Sequence, residues 1–198
     1  MHQGRWLYLN IFKWGLVMGV VSLLPACVNL ATTGAQAIYQ HRSLQQNFSD
    51  SYLTLQIYQA IQDDKQLDDT NITVATYHAD VLLTGQAPTH WQRIRIEKIA
   101  KDKAGINRVY NLIRIAAPLS TLKKMSDVWI TTKIKAQFIA SNDLDVSKIK
   151  VVTENGTVYL MGIVLKEEAD AAVELASETD GVEKVIKLFS YLKVVKKV

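Results

Sequence analysis

The residue types that could do chemistry are few in this 198-residue chain. There is a single cysteine, Cys27, so the chain can form no intramolecular disulfide and no cysteine-based metal site. The later histidines, His41, His78 and His90, do not stand at metal-ligand spacing with another histidine, a cysteine or a carboxylate. The sequence also lacks a Gly-x-Ser-x-Gly motif, a P-loop and a Rossmann glycine cluster. We therefore predict no enzymatic activity, no catalytic residues, no metal and no cofactor.

The chemistry open to Cys27 depends on the segment before it. Residues 1–26 carry two basic residues and no acidic one ahead of an apolar run from Trp14 to Leu24, which is the order of a secretory signal peptide. A membrane-spanning helix needs about 20 apolar residues, whereas this run is shorter and ends at Pro25. Leu24-Pro25-Ala26-Cys27 resembles a bacterial lipobox, in which the cysteine thiol is acylated before cleavage. The alternative is an ordinary signal peptide followed by a chance cysteine.

Acylation of Cys27 would decide where the protein resides. Each buried methylene contributes about 0.8 kcal/mol, so one acyl chain anchors marginally but two or three make release negligible. By resemblance to bacterial lipoproteins, Val28 in place of an aspartate after the cysteine implies the periplasmic face of the outer membrane.

The net charge of +4 first suggests an acidic partner. Arg5 and Lys13 belong to the predicted signal peptide, however, which leaves +2 in the mature chain. Residues 50–115 hold eight basic and eight acidic groups, and residues 126–195 hold eight and eleven. We therefore predict no nucleic-acid partner, and any basic surface must be local.

The chain repeats itself at an offset of 77 residues. The segment Ile72–Gly85 aligns with Ile149–Gly162, and after a one-residue gap Gly105–Val109 aligns with Gly181–Val185. Such self-similarity at a fixed period indicates two copies of one structural unit.

Each copy predicts the element order αββαβ. Apolar residues at i, i+4 and i+8 predict an opening helix in each copy, formed by Leu53, Ile57 and Ile61 and again by Ile130, Ile134 and Phe138. Two strands with alternating apolar residues follow, joined in the second copy by the hairpin signal Asn155-Gly156. His78 aligns with Asn155, so we expect it in the matching turn.

A second helix and a last strand complete each unit. The helix enters near Pro88 in the first copy and is expected to end with a glycine at its C-cap, Gly105 or Gly181. The last strands are predicted at Val109–Ile115 and Val185–Leu192. The fold class is therefore α+β, with two tandem domains that each pack a three-stranded mixed sheet on two helices. The predicted divisions are a signal peptide (1–26), a tether (27–49), domain 1 (50–116), a linker (117–125) and domain 2 (126–195).

These repeats resemble the BON domain of bacterial envelope proteins. The resemblance rests on stretches such as Val81-Leu-Leu-Thr-Gly-Gln-Ala-Pro88, Trp129-Ile-Thr-Thr-Lys-Ile-Lys135 and Val152-Thr-Glu-Asn-Gly-Thr-Val-Tyr-Leu-Met-Gly162. Two such units behind a lipobox are similar to the family of dual-BON outer-membrane lipoproteins, the DolP or YraP family. That resemblance implies that the first helix of domain 2 binds anionic phospholipid, such as phosphatidylglycerol or cardiolipin. It also implies a role in outer-membrane integrity and enrichment at the division septum.

The residues of this helix fit an interfacial role. Ile130, Ile134 and Phe138 form one predicted core face, and an apolar and basic set lies outside it. Tryptophan favours the headgroup region, and each lysine near an anionic surface gains about 1 kcal/mol. Lys123 and Lys124, just before the predicted helix, could extend its basic face. The candidate phospholipid-binding residues are Trp129, Thr132, Lys133, Lys135, Ala136 and Ile139.

Two alternatives stay open on the sequence. Trp129 could be buried as a plug between the domains rather than exposed to lipid. The protein could also be a periplasmic adaptor that binds envelope assembly, division or peptidoglycan-remodelling proteins through an open sheet face, without lipid recognition.

Overall fold

The computed structural model describes residues 49–118 and 121–192. Cys27 and the predicted signal peptide lie outside these residues. Domain 1 contains α1 (residues 49–62), β1 (Asn71–Tyr77), β2 (Asp80–Ala87), α2 (His90–Lys101), β3 (Arg108–Asn111) and β4 (Arg114–Ile115). Domain 2 contains α3 (Thr121–Ala140), β5 (Ile149–Glu154), β6 (Thr157–Val164), α4 (Lys166–Ser177) and β7 (Lys184–Tyr191). The predicted α+β class is confirmed.

Both sheets have the same mixed topology. The first two strands of each domain pair antiparallel, and the last strand pairs parallel with the middle one. The hairpin turns fall at His78-Ala79 and Asn155-Gly156, where all four residues have positive φ. The turn assignment of His78 is therefore confirmed.

The opening helix of each domain is fixed to its hairpin by the same contacts. The Asp50 carboxylate accepts hydrogen bonds from both backbone N–H groups of the β1–β2 turn, at 2.7 and 2.9 Å. Asp127, 77 residues later, does the same at the same two distances in the β5–β6 turn. A hydroxyl pair joins helix to strand in each domain, Thr54 to Thr76 at 2.9 Å and Thr131 to Thr153 at 2.7 Å.

The described residues form two helix-facing cores and one core between the sheets. In domain 1, α1 and α2 pack on Val81 and Leu83 of β2, and in domain 2, α3 and α4 pack on Val158 and Leu160 of β6. The alternate side chains of both sheets pack together across the domain boundary, among them Ala75, Leu82, Tyr159 and Met161. The expectation of an open sheet face is therefore wrong, because each sheet buries its second face against the other.

The connection between the domains is shorter than predicted. Residues 121–125, expected in the linker, already belong to α3. Lys123, Lys124, Met125 and Ser126 are all exposed, so these four positions give no buried apolar residue that could mark them as helix.

The two predicted C-cap glycines lie beyond the helix ends. Helix α2 ends with Asp102 at its C-cap and α4 with Glu178, both in the right-handed helical region. Gly105 and Gly181 follow three residues later, where φ is +83° and +88°. The glycines are therefore required by the loop that enters the last strand.

The last strand of domain 1 is interrupted, unlike β7, so its sheet has four strands and not the three that were predicted. Strands β3 and β4 both pair parallel with β2. Asn111 turns its side-chain amide onto α2, where it donates to the Arg93 carbonyl at 3.2 Å and to the Glu97 carboxylate at 2.8 Å. The Asn111 side-chain oxygen Oδ1 accepts from the backbone N–H of Ile113 at 3.4 Å. These local bonds separate β3 from β4. Within residues 49–118 and 121–192, no helix is both long and apolar enough to cross a bilayer.

Candidate functional site

Helix α3 buries one face and leaves the opposite face uncovered. Ile130, Ile134 and Phe138 are at most 1% exposed and form the domain 2 core with α4 and the sheet. Successive residues turn by about 100° around a helix, so Met125, Trp129 and Ile139 lie on the side away from this core.

The uncovered face is a continuous, mainly apolar strip over about four turns. Its large side chains are Met125 (65% exposed), Val128 (68%), Trp129 (53%) and Ile139 (72%). We call these four, together with the exposed Thr132, Ala136 and Ala140, the outer strip. Trp129 is therefore placed on the surface and not as a plug between the domains.

Lys133 holds Trp129 in place on one flank of the outer strip. Its Nζ lies 4.8 Å from the centroid of the Trp129 ring and 2.6 Å from a carboxylate oxygen of Asp180. The hydrogen bond from Lys133 lowers the pKa of Asp180 below its ordinary value. The charge of Lys133 is thus locally balanced, and its clearest role in the structure is to orient the indole.

The other flank carries two lysines that form no ion pair with a carboxylate of the described residues. Lys135 is exposed, and Lys124 donates from Nζ to Asn71 Oδ1 at 2.7 Å. Lys123 points to a different side, where it donates to Asn155 Oδ1 at 3.2 Å. The predicted extension of the basic face therefore applies to Lys124 and not to Lys123.

All six candidate residues lie on the outer strip or on one of its two flanks: Trp129, Thr132, Lys133, Lys135, Ala136 and Ile139. Sequence reasoning missed Met125 and Val128, which add two of the most exposed apolar side chains. The signal was the i−4 spacing of Met125 from Trp129, which a helix predicted to start at residue 126 could not use.

The matching helix of domain 1 has a different surface. Tyr52 stands at the position equivalent to Trp129 and is 61% exposed, with Leu55 and Tyr58 also exposed. Gln56 and Tyr58 replace the two lysines at positions 133 and 135. Only α3 of these two opening helices combines an apolar strip with flanking cations.

Comparison with known proteins places both domains in one family. The BON domain profile matches residues 49–117 and 126–193. The chain is 30% identical over 185 residues to "Outer membrane lipoprotein DolP" of Haemophilus influenzae, covering 91% of this chain and 96% of that protein. It is 35% identical over 153 residues to "21 kDa hemolysin" of Actinobacillus pleuropneumoniae, covering 77% and 79%. It is also 30% identical over 139 residues to "Osmotically-inducible protein Y" of Escherichia coli, covering 69% of each.

Proposed function

The chain belongs to the BON-domain family, and from that premise we propose that it is an outer-membrane lipoprotein whose helix α3 binds anionic phospholipid. The observation that carries the lipid-binding part is the outer strip with lysines on both flanks. The outer-membrane part is supported by the likeness to DolP and by the lipobox-like sequence at Cys27.

The composition of the outer strip suits the boundary between headgroups and acyl chains. Four large apolar side chains on one helix face make a patch that a soluble surface seldom leaves open without a partner. Tryptophan is enriched at that boundary, and lysines beside it keep their ammonium groups at the headgroup level. A helix of this kind lies in the plane of the membrane and does not cross it.

An anchor at Cys27 would make a weak lipid site sufficient. Once the acyl chains hold the protein at the membrane, binding of α3 becomes an intramolecular event with a high effective concentration. We propose that this docking supports outer-membrane integrity, with enrichment at the division septum, and that the partner lipids are phosphatidylglycerol and cardiolipin. Mass spectrometry of the mature N-terminus should find an acylated cysteine, and an unmodified Cys27 or a different first residue would contradict the anchor.

Replacement of Trp129 tests the lipid site directly. Trp129→Glu places a carboxylate in the middle of the outer strip, so binding of the two-domain chain to phosphatidylglycerol or cardiolipin vesicles should be abolished. Trp91→Glu is a matched control, because Trp91 is 50% exposed but lies on α2 of domain 1. Circular dichroism should show both variants folded, since neither side chain belongs to a core.

Chemical-shift mapping separates lipid binding from the adaptor hypothesis. On titration with anionic micelles, amide shifts should concentrate in residues 125–140 of α3. Unchanged vesicle binding by Trp129→Glu would overturn the assignment of this helix, and the absence of any lipid-dependent shift would favour an adaptor.

A further inference from the structure

A polar groove runs beside the outer strip, at the seam between the two domains. It has a volume of about 480 Å³, within the usual range for small-molecule sites of roughly 300–1,000 Å³. One wall is the flank of α3, including Val128 and Thr132 of the outer strip, and the other includes Asn71 and Thr73 of β1. A lipid whose acyl chains cover the outer strip would therefore have its headgroup next to this groove.

The two carboxylates in the groove wall are already committed to internal hydrogen bonds. Both Asp127 oxygens accept from the backbone of the β5–β6 turn, at 2.7 and 2.9 Å. Glu154 accepts from Gln86 Nε2 at 2.7 Å and from Thr73 Oγ1 at 3.2 Å. Each carboxylic residue is only 7% exposed. Neither forms an ion pair with the lysines of the groove within the described part of the chain.

The lysines of the groove, unlike its carboxylates, are not committed to charged partners among the described residues. Lys124 and Lys135 both line it, and within the described ranges neither forms an ion pair. Lys124 spends one of its three N–H donors on Asn71. The groove therefore presents two ammonium groups that form no ion pair among the described residues. Beside them, the hydroxyls of Thr73, Thr131 and Thr132 each donate within the protein and keep lone pairs free to accept. This arrangement suits a phosphate attached to a polyol.

We propose that this groove binds the headgroup of the phospholipid and prefers a glycerol headgroup to an ammonium-bearing headgroup of equal net charge. This inference rests on the proposed lipid binding by α3. The phosphate lies on the lysine flank, and the headgroup hydroxyls donate to threonine hydroxyl oxygens from both domains, whose own protons are bonded within the protein. A headgroup ammonium meets like charge from Lys124 and Lys135, and the carboxylates that could receive it are buried and occupied.

The preference is tested with two vesicle preparations, one containing phosphatidylglycerol and one containing phosphatidylserine, each at the same mole fraction in phosphatidylcholine. The two lipids carry the same net charge, so a difference in affinity reports the headgroup. The two-domain chain should bind phosphatidylglycerol vesicles on the order of fivefold more tightly, which corresponds to about one net hydrogen bond. Equal affinity for the two would overturn the headgroup preference and leave the proposed function standing. No binding to either would overturn the proposed function itself.

Variants then assign the preference to the groove. Lys124→Gln should weaken phosphatidylglycerol binding severalfold, whereas Lys123→Gln, which removes the same charge one residue away and outside the groove, should have a smaller effect. Thr132→Val should lower the ratio between the affinities for the two lipids. Equal effects of Lys124→Gln and Lys123→Gln would show that only general surface charge matters and would overturn the groove.

A soluble competitor separates a headgroup site from a site for free phosphate. Glycerophosphoglycerol should displace the protein from phosphatidylglycerol vesicles at concentrations where inorganic phosphate, at matched ionic strength, does not. Equal displacement by inorganic phosphate would overturn the headgroup assignment.

Discussion

Lys150 is a cation held at the seam between the domains without an ion pair among the described residues. Its Nζ donates to the backbone carbonyl of Thr76 in domain 1 at 2.9 Å. Burial lowers the pKa of Lys150 from its ordinary value of 10.5, the nearby Lys135 adds to the decrease, and Asp50 opposes it. Its ammonium group is therefore a cost to the folded state for as long as it is charged.

The stability contribution of Lys150 should depend on pH in a defined direction. Between its lowered folded pKa and the unfolded value of 10.5, the unfolded chain binds more protons, so the free energy of unfolding rises with pH through this window. Lys150→Met removes the titration. Urea denaturation should thus show the wild-type chain gaining stability relative to Lys150→Met as pH rises from neutrality toward 10.5.

Lys148 provides the control for that experiment. Burial opposes the shift, but hydrogen bonds and ion pairs with Asp145 and Glu168 together raise the pKa of Lys148. Its contribution is retained up to the unfolded value of 10.5 and is lost only above it, so the stability difference for Lys148→Met should stay flat over the same window. A flat difference for Lys150→Met as well would contradict the prediction.

At the scale of elements, most of the fold was predicted from the internal repeat. The alignment at an offset of 77 residues placed the helices and strands, and the i, i+4, i+8 spacing identified the core face of α3. The start of α3 was missed because residues 123–126 are exposed and give no buried apolar position that a hydrophobic pattern could report. The part of the candidate site from Trp129 to Ile139 followed from the same spacing. Met125 was lost with the helix start, and Val128 was missed although it lies inside the predicted helix.

Contacts between distant segments could not be predicted in the same way. The runs Val81-Leu-Leu83 and Val158-Tyr-Leu-Met161 are apolar on both faces, which indicates strands covered on both sides. That pattern does not say what covers the second face. The hydrogen bonds from Thr73 and Gln86 to Glu154 join residues 81 and 68 positions apart and likewise leave no local signal.

Gly85 and Gly162, which align between the two copies of the repeat, are explained by close contacts between strands. A Cβ at Gly85 would lie 2.1 Å from the carbonyl oxygen of Asn71, and one at Gly162 would lie 2.5 Å from that of Lys148. Both glycines sit in the middle strand opposite the beginning of the edge strand. No side chain fits at either position without moving the backbone.

Alanine substitutions should separate this close contact from backbone strain alone. Gly85→Ala combines a φ of +113° with the clash, so we expect a loss of more than about 3 kcal/mol in the free energy of unfolding. Gly105→Ala has a φ of +83° but no atom within 4 Å of the added Cβ, so its loss should be about 1 kcal/mol. Chemical denaturation measures both, and similar losses would contradict a role for the strand contact.

For the whole molecule, packing of the two sheets places the helix pairs on opposite outer sides. Helices α1 and α2 cover the far face of one sheet, and α3 and α4 cover the far face of the other. A flat bilayer that contacts the outer strip of α3 therefore lies away from Tyr52 on α1 and Trp91 on α2. This arrangement is the reason that Trp91 serves as a control for Trp129.

The same packing should couple the stability of the two domains. Leu82 and Leu83 are adjacent in β2 and fully buried, but Leu82 packs between the sheets and Leu83 packs under α1 and α2. Either change to alanine should cost about 2–5 kcal/mol through the cavity it leaves. Leu82→Ala should also speed hydrogen exchange in β6 of domain 2, because it loosens the shared core, whereas Leu83→Ala should act mainly within domain 1.

Since the seam groove needs β1 beside α3, Leu82→Ala should reduce the preference for phosphatidylglycerol more than Leu83→Ala does. Unchanged hydrogen exchange in β6 of the Leu82→Ala variant would mean that the domains are independent and that the groove does not depend on their packing.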